Sequence, residues 1–458
     1  MTGDAPQDFL SDYSAGRLTD MPSIAERQKK LRAFAGELAA SEGEICAALK
    51  ADLNRESVET ALAELLPLLE IIRFVAKKLP RILKKKSLPW GLATFPARSF
   101  LVREPYGRVL IVSTWNYPFL LSLEPALGAY AAGNRTVLKL SSRAPESCRL
   151  IRKLVEKHFS PREILVADDA MHLPDLLKYR FDYIFCTGGR KTGEEVQRAA
   201  AEYCTPVTLE LGGKNPCIVT ENADLAIAAK RIAWGKFFNG GQSCIAPDHL
   251  WVHRRVREKF QLLLCGEIRK LYGAAPLKNA SFAALPDAAA YERICALIKE
   301  DSLIYGGKCD PERRIVEPTL LEGSGEDPLL MNGEIFGPVL PILEYSDDAE
   351  LIRRLSLQEH PLALYCFGGD KNFRRILTER IPAGAMVFND VLAYFSNMHI
   401  PFGGVGRSGF GAYHGIRTVT TFLHEKPVIR QWELPFCFLR YPPYSDFFRK
   451  LLRFLIRR

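Results

Sequence analysis

The chain has 458 residues, 47% hydrophobic and 25% charged, with a net charge of +9. At roughly 150 residues per domain this predicts about three structural units with ample buried core, and the balance excludes a disordered, collagen-like or polytopic membrane chain. The charge is uneven: Ile71 to Arg103 holds nine Lys or Arg and no acid, and Glu425 to Arg458 holds eight basic and three acidic residues. With no nucleic-acid-binding motif beside it, that charge points to anionic lipid rather than nucleic acid.

The opening MTGDAPQDFL lacks the basic start and apolar run of a signal peptide, so a cytoplasmic location is expected. The first 85 or so residues read as helical, rich in Ala, Leu, Glu and Lys at helical spacing, with Pro80 and Pro89 marking the exit. Trp90 to Arg103 reads as an extended connector or hairpin. From Arg108 short β-rich runs (VLIV, TVLKL, EILVA, DYIFC, VTLEL) alternate with amphipathic stretches, the pattern of βαβ crossovers feeding a parallel sheet. The uncharged run between Arg108 and Glu124 is broken by Pro118 and falls short of the roughly 20 residues a spanning helix needs. A second alternating series begins at Pro216, so two α/β domains in tandem are predicted, and Ala274 to Ala290 is expected to be a surface loop. In the tail, Phe447, Phe448, Leu451, Leu452 and Leu455 share one helical face, and Arg449, Lys450, Arg453 and Arg457 lie on another. It suits either packing on a protein surface or lying on a membrane surface.

Eleven cysteines, with no CxxC pair, give neither a disulfide framework nor a zinc signature, and no metal is expected. One cysteine has a different setting: Cys244 follows Gly240-Gly241 and precedes Pro247, an accessible turn suited to a nucleophilic thiol. Glu210 ends an apolar strand before Gly212-Gly213, which suits a partly desolvated general base, or equally a carboxylate paired with Lys214. Thr187 to Gly193 is a glycine turn between strand and helix, a setting for anion binding at a helix N-terminus or simply a turn. Gly404 to Gly409 matches GxGxxG, but Pro401 precedes it and no strand–helix pair frames it, so it reads as a turn that lets backbone approach something closely.

Taken in order, TWNYPF (Thr114 to Phe119), AAGNRTVLKLS (Ala131 to Ser141), TPVTLELGGKNPC (Thr205 to Cys217), RIAWGKFFNGGQSCIAPD (Arg231 to Asp248), EIFGPVLPI (Glu334 to Ile342), PLALYCF (Pro361 to Phe367) and PFGGVGRSGFGAYHG (Pro401 to Gly415) resemble the aldehyde dehydrogenase superfamily, in particular its class 3 branch for fatty or aromatic aldehydes. The resemblance implies NAD(P)-dependent oxidation of an aldehyde to a carboxylic acid. Cys244 would be the nucleophile, Asn116 an oxyanion donor and Glu210 the base that activates water. Lys139 and Glu334 would hold the cofactor riboses, Phe336 would pack near the nicotinamide, and Trp115, Gly188, Gly189 and Gly193 would line the adenosine and pyrophosphate path. Where the family commonly has an acid after Lys-Pro-Ser, this chain has Ser142 and Arg143, and its phosphate turn carries Arg190, Lys191 and Thr192. Use of either NAD or NADP is therefore expected.

The implied architecture is an α/β aldehyde dehydrogenase-like fold. A Rossmann-like cofactor-binding domain would take residues 1–89 and 104–209, and an α/β catalytic domain residues 210–415. A bridging or oligomerisation element would take 90–103 and 416–430, and a basic amphipathic tail 431–458. A homodimer follows from the resemblance, and peripheral membrane contact from the tail. The alternatives are a CoA-acylating reductase, which would not need Glu210; a cysteine hydrolase, for which His249 or His253 would have to serve Cys244; and a non-catalytic membrane-surface protein. Tyr117, Phe238, Tyr394 and Phe395 are candidate substrate-pocket lining.

Overall fold

The computed structural model describes residues 21–89, 94, 97–279, 282–325, 327–433 and 441–457. The N-terminal helices begin with α1 (Ile24–Ala40), closed by a capping box in which Ser23 Oγ accepts from the Glu26 N–H and Glu26 Oε2 accepts from the Ser23 N–H. They continue with α2 (Glu42–Leu53) and α3 (Leu66–Ile82). The latter runs through Pro80, which sequence reading took as an exit. A proline removes the bond to the carbonyl four residues back; that carbonyl, Ala76 O, accepts instead from Gln28 Nε2 of α1 at 2.6 Å.

The segment before Arg108 is a hairpin, β1 (Lys86–Leu88) on β2 (Ala97–Pro105), completed into a three-stranded antiparallel sheet by β18 (Leu423–Gln431). Thr418, within the bridging element expected at 416–430, lies not in that strand but in a helical turn, Arg417–Thr420. Thr418 is buried there, with its hydroxyl donating to Glu124 Oε1 at 2.8 Å.

Two parallel sheets carry the body. The first holds β3 (Arg108–Val112), β4 (Arg135–Lys139), β5 (Ile164–Val166), β6 (Tyr183–Gly188) and β7 (Val207–Leu211) in the order β7-β6-β3-β4-β5. β3 is buried throughout, as a central parallel strand must be. It leads into α4 (Pro118–Ala132), an entirely buried helix that accounts for the long uncharged run. The second sheet includes β8 (Pro216–Val219), β9 (His249–His253), β10 (Leu303–Tyr305), β13 (Thr319–Glu322), β14 (Val339–Tyr345), β15 (Ala363–Phe367) and β16 (Ala385–Phe388) in the order β10-β13-β14-β9-β8-β15-β16.

Two expectations change. The boundary at 209/210 falls inside β7, and β17 (Gly409–Phe410), placed in sequence among the catalytic residues, pairs antiparallel with β7 and joins the first sheet. The stretch 274–290 is a surface loop only in part: Ala274, Ala275 and Lys278 are exposed, but Phe282 to Leu285 are buried, with the Ala284 N–H bonded to Leu53 O at 2.7 Å and the Leu285 N–H to Arg314 O at 2.9 Å.

Candidate active site

β3 lies between β4 on one side and β6 on the other, so the chain winds outward in both directions from it. Ligands of open α/β sheets bind at such a switch point, outside the carboxyl ends of the strands. That place is occupied here by Trp115 and Asn116 after β3, Lys139 at the end of β4, Gly188 at the end of β6 with Gly189 after it, and Gly212 after β7. Gly189 caps α5 (Arg190–Glu202), whose first turn carries Arg190, Lys191, Thr192 and Gly193.

The second sheet supplies the opposing wall. After α6 (Leu225–Phe237), the chain turns through Asn239, Gly240 and Gly241 at φ of 51°, 59° and 74°, and then reaches Cys244. A side chain at Gly241 would strike the Gly337 carbonyl, which is why glycine stands there. Cys244, Glu210, Thr187, Tyr117, Phe238 and Phe395 share one cavity of about 290 Å³ whose wall is mostly apolar. Tyr394 does not line it; its hydroxyl is buried without a partner among the described residues.

Glu210 is 3% exposed, and neither carboxylate oxygen has a partner among the described residues. The alternative pairing with Lys214 does not occur, because Lys214 is bonded to Asp248 and to Leu330 O. Burial, reinforced by the nearby Glu124 carboxylate, pushes the Glu210 carboxyl well above its ordinary range. Burial also raises the Cys244 thiol, with the charges of Glu334 and Glu210 adding to the effect. The Gly404–Gly409 turn closes this corner. Gly409 pairs with Glu210 at φ 117°, and a side chain there would strike the Leu209 carbonyl. The backbone approach expected of this GxGxxG is thus to β7 itself.

Asn116 is buried; one hydrogen of its amide goes to Gln242 O at 3.0 Å, and among the described residues neither the other hydrogen nor Oδ1 has a partner. Trp115 is packed edge-on by Phe336, with centroids 5.6 Å apart, and covered by Arg143 at 4.9 Å. The carboxylate of Glu334 lies against Gly212, where an added side chain would have to push it aside. Burial and the Asp248 charge push Glu334 up to about 8, against the Gly213 N–H, which favours its ionised form. Ser142 is exposed, as are Lys191 and Gly189, while Gly193 packs on Leu211. Arg143 and Arg190 are not free cations: they pair with Asp287 at 2.6 Å and Glu194 at 2.9 Å. His249 is wholly buried and His253 nearly so, and neither lines the Cys244 cavity.

A further set escaped sequence reading. The Arg55 and Glu64 side chains form a wholly buried ion pair. Glu64 Oε2 also accepts from the Phe119 and Leu120 N–H groups at 2.7 and 3.1 Å. Arg55 binds Asn239 Oδ1 at 2.7 Å and the Asn116 carbonyl. Gln242 Nε2 donates to Asn239 O and Ala284 O at 2.9 and 3.1 Å. This network holds the Asn116 and Cys244 loops against each other. Nothing local in the sequence marks Arg55, although Asn239 and Gln242 lie inside the motif that carries Cys244.

The family model for "Aldehyde dehydrogenase family" matches residues 16–428. The chain is 36% identical over 451 residues to the 4,4'-diaponeurosporen-aldehyde dehydrogenase of Staphylococcus aureus, covering 98% of both chains. It is 37% identical over 421 residues to aldehyde dehydrogenase family 3 member H1 of Arabidopsis thaliana, covering 91% of this chain and 87% of that one. The substrate-bound structure of Staphylococcus aureus AldH superposes with a TM-score of 0.93 at 34% identity, covering 99% of this chain and 100% of the other. The family match and these relatives make the chain an oxidoreductase acting on aldehydes. This chain belongs to the aldehyde dehydrogenase family and oxidises aldehydes to acids.

Proposed function

We propose that Cys244 is the nucleophile of an NAD(P)-dependent oxidation of apolar aldehydes, aromatic or medium- to long-chain aliphatic. The observation that carries this is the single apolar cavity shared by Cys244 and Glu210. The Cys244 sulfur attacks the aldehyde carbon to form a thiohemiacetal, and the second amide hydrogen of Asn116 with the Cys244 N–H stabilises the oxygen that gains charge. The crevice fits a dinucleotide: Trp115, Lys139, Ser142, Gly188 to Gly193, Glu334 and Phe336 would hold it. When bound in its oxidised form it supplies a hydride acceptor and a positive charge. Glu210, whose raised proton affinity suits a base, takes a proton from the water that hydrolyses the resulting Cys244 thioester.

Either NAD or NADP serves, since no acid stands at Ser142 and Lys191 is exposed. Matched kinetics decide it: a preference for NAD beyond about a hundredfold, about 2.7 kcal/mol, overturns dual use. The acid product and the cavity are tested together by an aldehyde panel of increasing chain length. Apolar substrates are expected to show the highest kcat/KM, and equal rates with charged aldehydes refute the substrate reading.

The protein is proposed to act as a cytoplasmic homodimer with peripheral membrane contact. β18 is the outer strand of its sheet, with Ile429 55% exposed. Among the described residues no helix is long and apolar enough to cross a membrane. The tail helix α7 (Asp446–Ile456) buries no residue and leaves Phe447 and Phe454 exposed beside Arg449, Lys450 and Arg453. Sedimentation tests the dimer. Truncation after Tyr441 tests the tail, and unchanged flotation with anionic liposomes excludes it as the anchor.

A further inference from the structure

The nine-cation run from Ile71 to Arg103 plays no part in aldehyde chemistry. In the fold, three of its members, Lys78, Arg81 and Arg103, meet His399, His414 and Arg417 around a second cavity of about 550 Å³. Among the described residues no Asp or Glu lines it, and none lines both it and the Cys244 cavity. Arg103 is paired with Glu425 at 2.9 Å, whereas Lys78, Arg81 and Arg417 have no carboxylate partner among the described residues. His414 is buried with Nδ1 3.1 Å from Glu124 Oε1. Burial opposes its charge, but Glu124 outweighs burial and raises the imidazole above its ordinary value.

Lys78, Arg81 and Arg417, gathered on a concave wall without a carboxylate partner among the described residues, focus a positive potential into it. The remainder of the wall is Phe74, Ile82, Met398, Pro401 and Ile416. A bare oxyanion would satisfy the charges but leave that apolar half wet, and a purely apolar guest would leave the charges unanswered. The cavity is also much larger than a single oxyanion.

We propose that the cavity between α3, β2 and residues 398–417 binds an anionic amphiphile: a phosphate or carboxylate headgroup set among Lys78, Arg81 and Arg417, with a hydrocarbon body on Phe74, Met398 and Ile416. The aromatic pair that separates it from the substrate cavity is Phe395 stacked on His414, with centroids 4.5 Å apart.

The test is calorimetric titration of the full chain with octyl phosphate, octanoate, octyl glucoside and inorganic phosphate, each below its micelle concentration. Octyl phosphate or octanoate is expected to bind at least about tenfold more tightly than the neutral glucoside and than inorganic phosphate. The better of the two identifies the headgroup. K78Q/R81Q should weaken that binding at least about tenfold, with thermal melting as the check on folding; should its melting fall, R417Q carries the same test. The glucoside binding as tightly as the anions, inorganic phosphate binding as tightly as the amphiphiles, or a smaller loss in the folded variant overturns the proposal.

Discussion

The two large parallel sheets are built alike and used from opposite ends. The first offers the carboxyl ends of β3, β4, β6 and β7, where Trp115, Asn116, Lys139, Gly188 and Gly212 stand. The second offers the segments that precede its strands: Asn215 before β8, Cys244 to Asp248 before β9, and Glu334 to Gly337 before β14. These segments are pinned by side chains. Asn215 Nδ2 donates to Cys244 O and Ala246 O at 2.7 and 3.1 Å, and Tyr365 donates to Ile245 O at 2.5 Å. Asp248 Oδ1 accepts from the Ile335 N–H at 2.8 Å. A crevice edged by glycines suits a ligand gripped by backbone, whereas a nucleophile must be held still by its own loop.

That division can be broken from either side. On the second-sheet side, Cys244→Ala is expected to lower kcat by about 10⁴-fold or more, the scale on which a covalent route is lost. Retention of more than about a hundredth of the wild-type rate would remove Cys244 from the chemistry. On the first-sheet side, Glu210→Gln should lower steady turnover by about 10²- to 10⁴-fold while leaving one burst of reduced cofactor per site. Stopped-flow absorbance reads both, and loss of the burst would place Glu210 before hydride transfer instead of after it. The seam between the sheets is probed by Arg55→Met, which strands the buried Glu64 carboxylate. It should cost about 3–5 kcal/mol of stability, seen as a lower denaturation midpoint, and Glu64→Gln added to it, which removes the charge but keeps an acceptor for the Phe119 and Leu120 N–H groups, should restore much of the loss. No recovery in the double variant would mean that Arg55 acts through Asn239 and Asn116 rather than through its charge pair.

What the sequence disclosed and what it hid follow the same division. Backbone requirements are local, so the glycines at 240–241 and 409, the strand VLIV and the helix behind Cys244 could be read directly from residue type and order. Side-chain partners across the fold could not. Lys214 sits four residues from Glu210, yet it pairs with Asp248 and Leu330 O, partners far along the chain that only the fold brings to it. Arg55 and Glu64 look like any two helix-surface charges until α4 and the Asn239 turn close over them. Pro80 signals a helix end, and only Gln28, on a different helix, shows why the helix continues. Phe282 to Leu285 hid their burial because four buried residues in a row follow neither a helix nor a strand period.

The mildest expected effect bears on where the two sheets touch, at Glu334 and Gly212. Burial and Asp248 raise the Glu334 carboxyl to about 8, so it is mostly protonated at pH 7 and ionised by pH 9. The sign for stability follows: between its ordinary value and 8 the folded chain holds more protons than the unfolded one, and this group takes stability away as pH rises through that window. The sign for ligand binding is the reverse. A carboxylate accepts from two ribose hydroxyls, whereas the protonated acid must spend one oxygen as a donor. The KM for cofactor is therefore expected to fall about three- to tenfold from pH 6.5 to 9. Lys236, which burial lowers to about 8, sheds its proton over the same range, so the wild-type profile alone does not isolate Glu334. Glu334→Gln does: it removes the titration and keeps Lys236, and its KM should stay near the low-pH wild-type value throughout. If the variant and the wild type trace the same profile, the titration belongs to Lys236, and Glu334 meets Gly212 only to close the gap between the sheets.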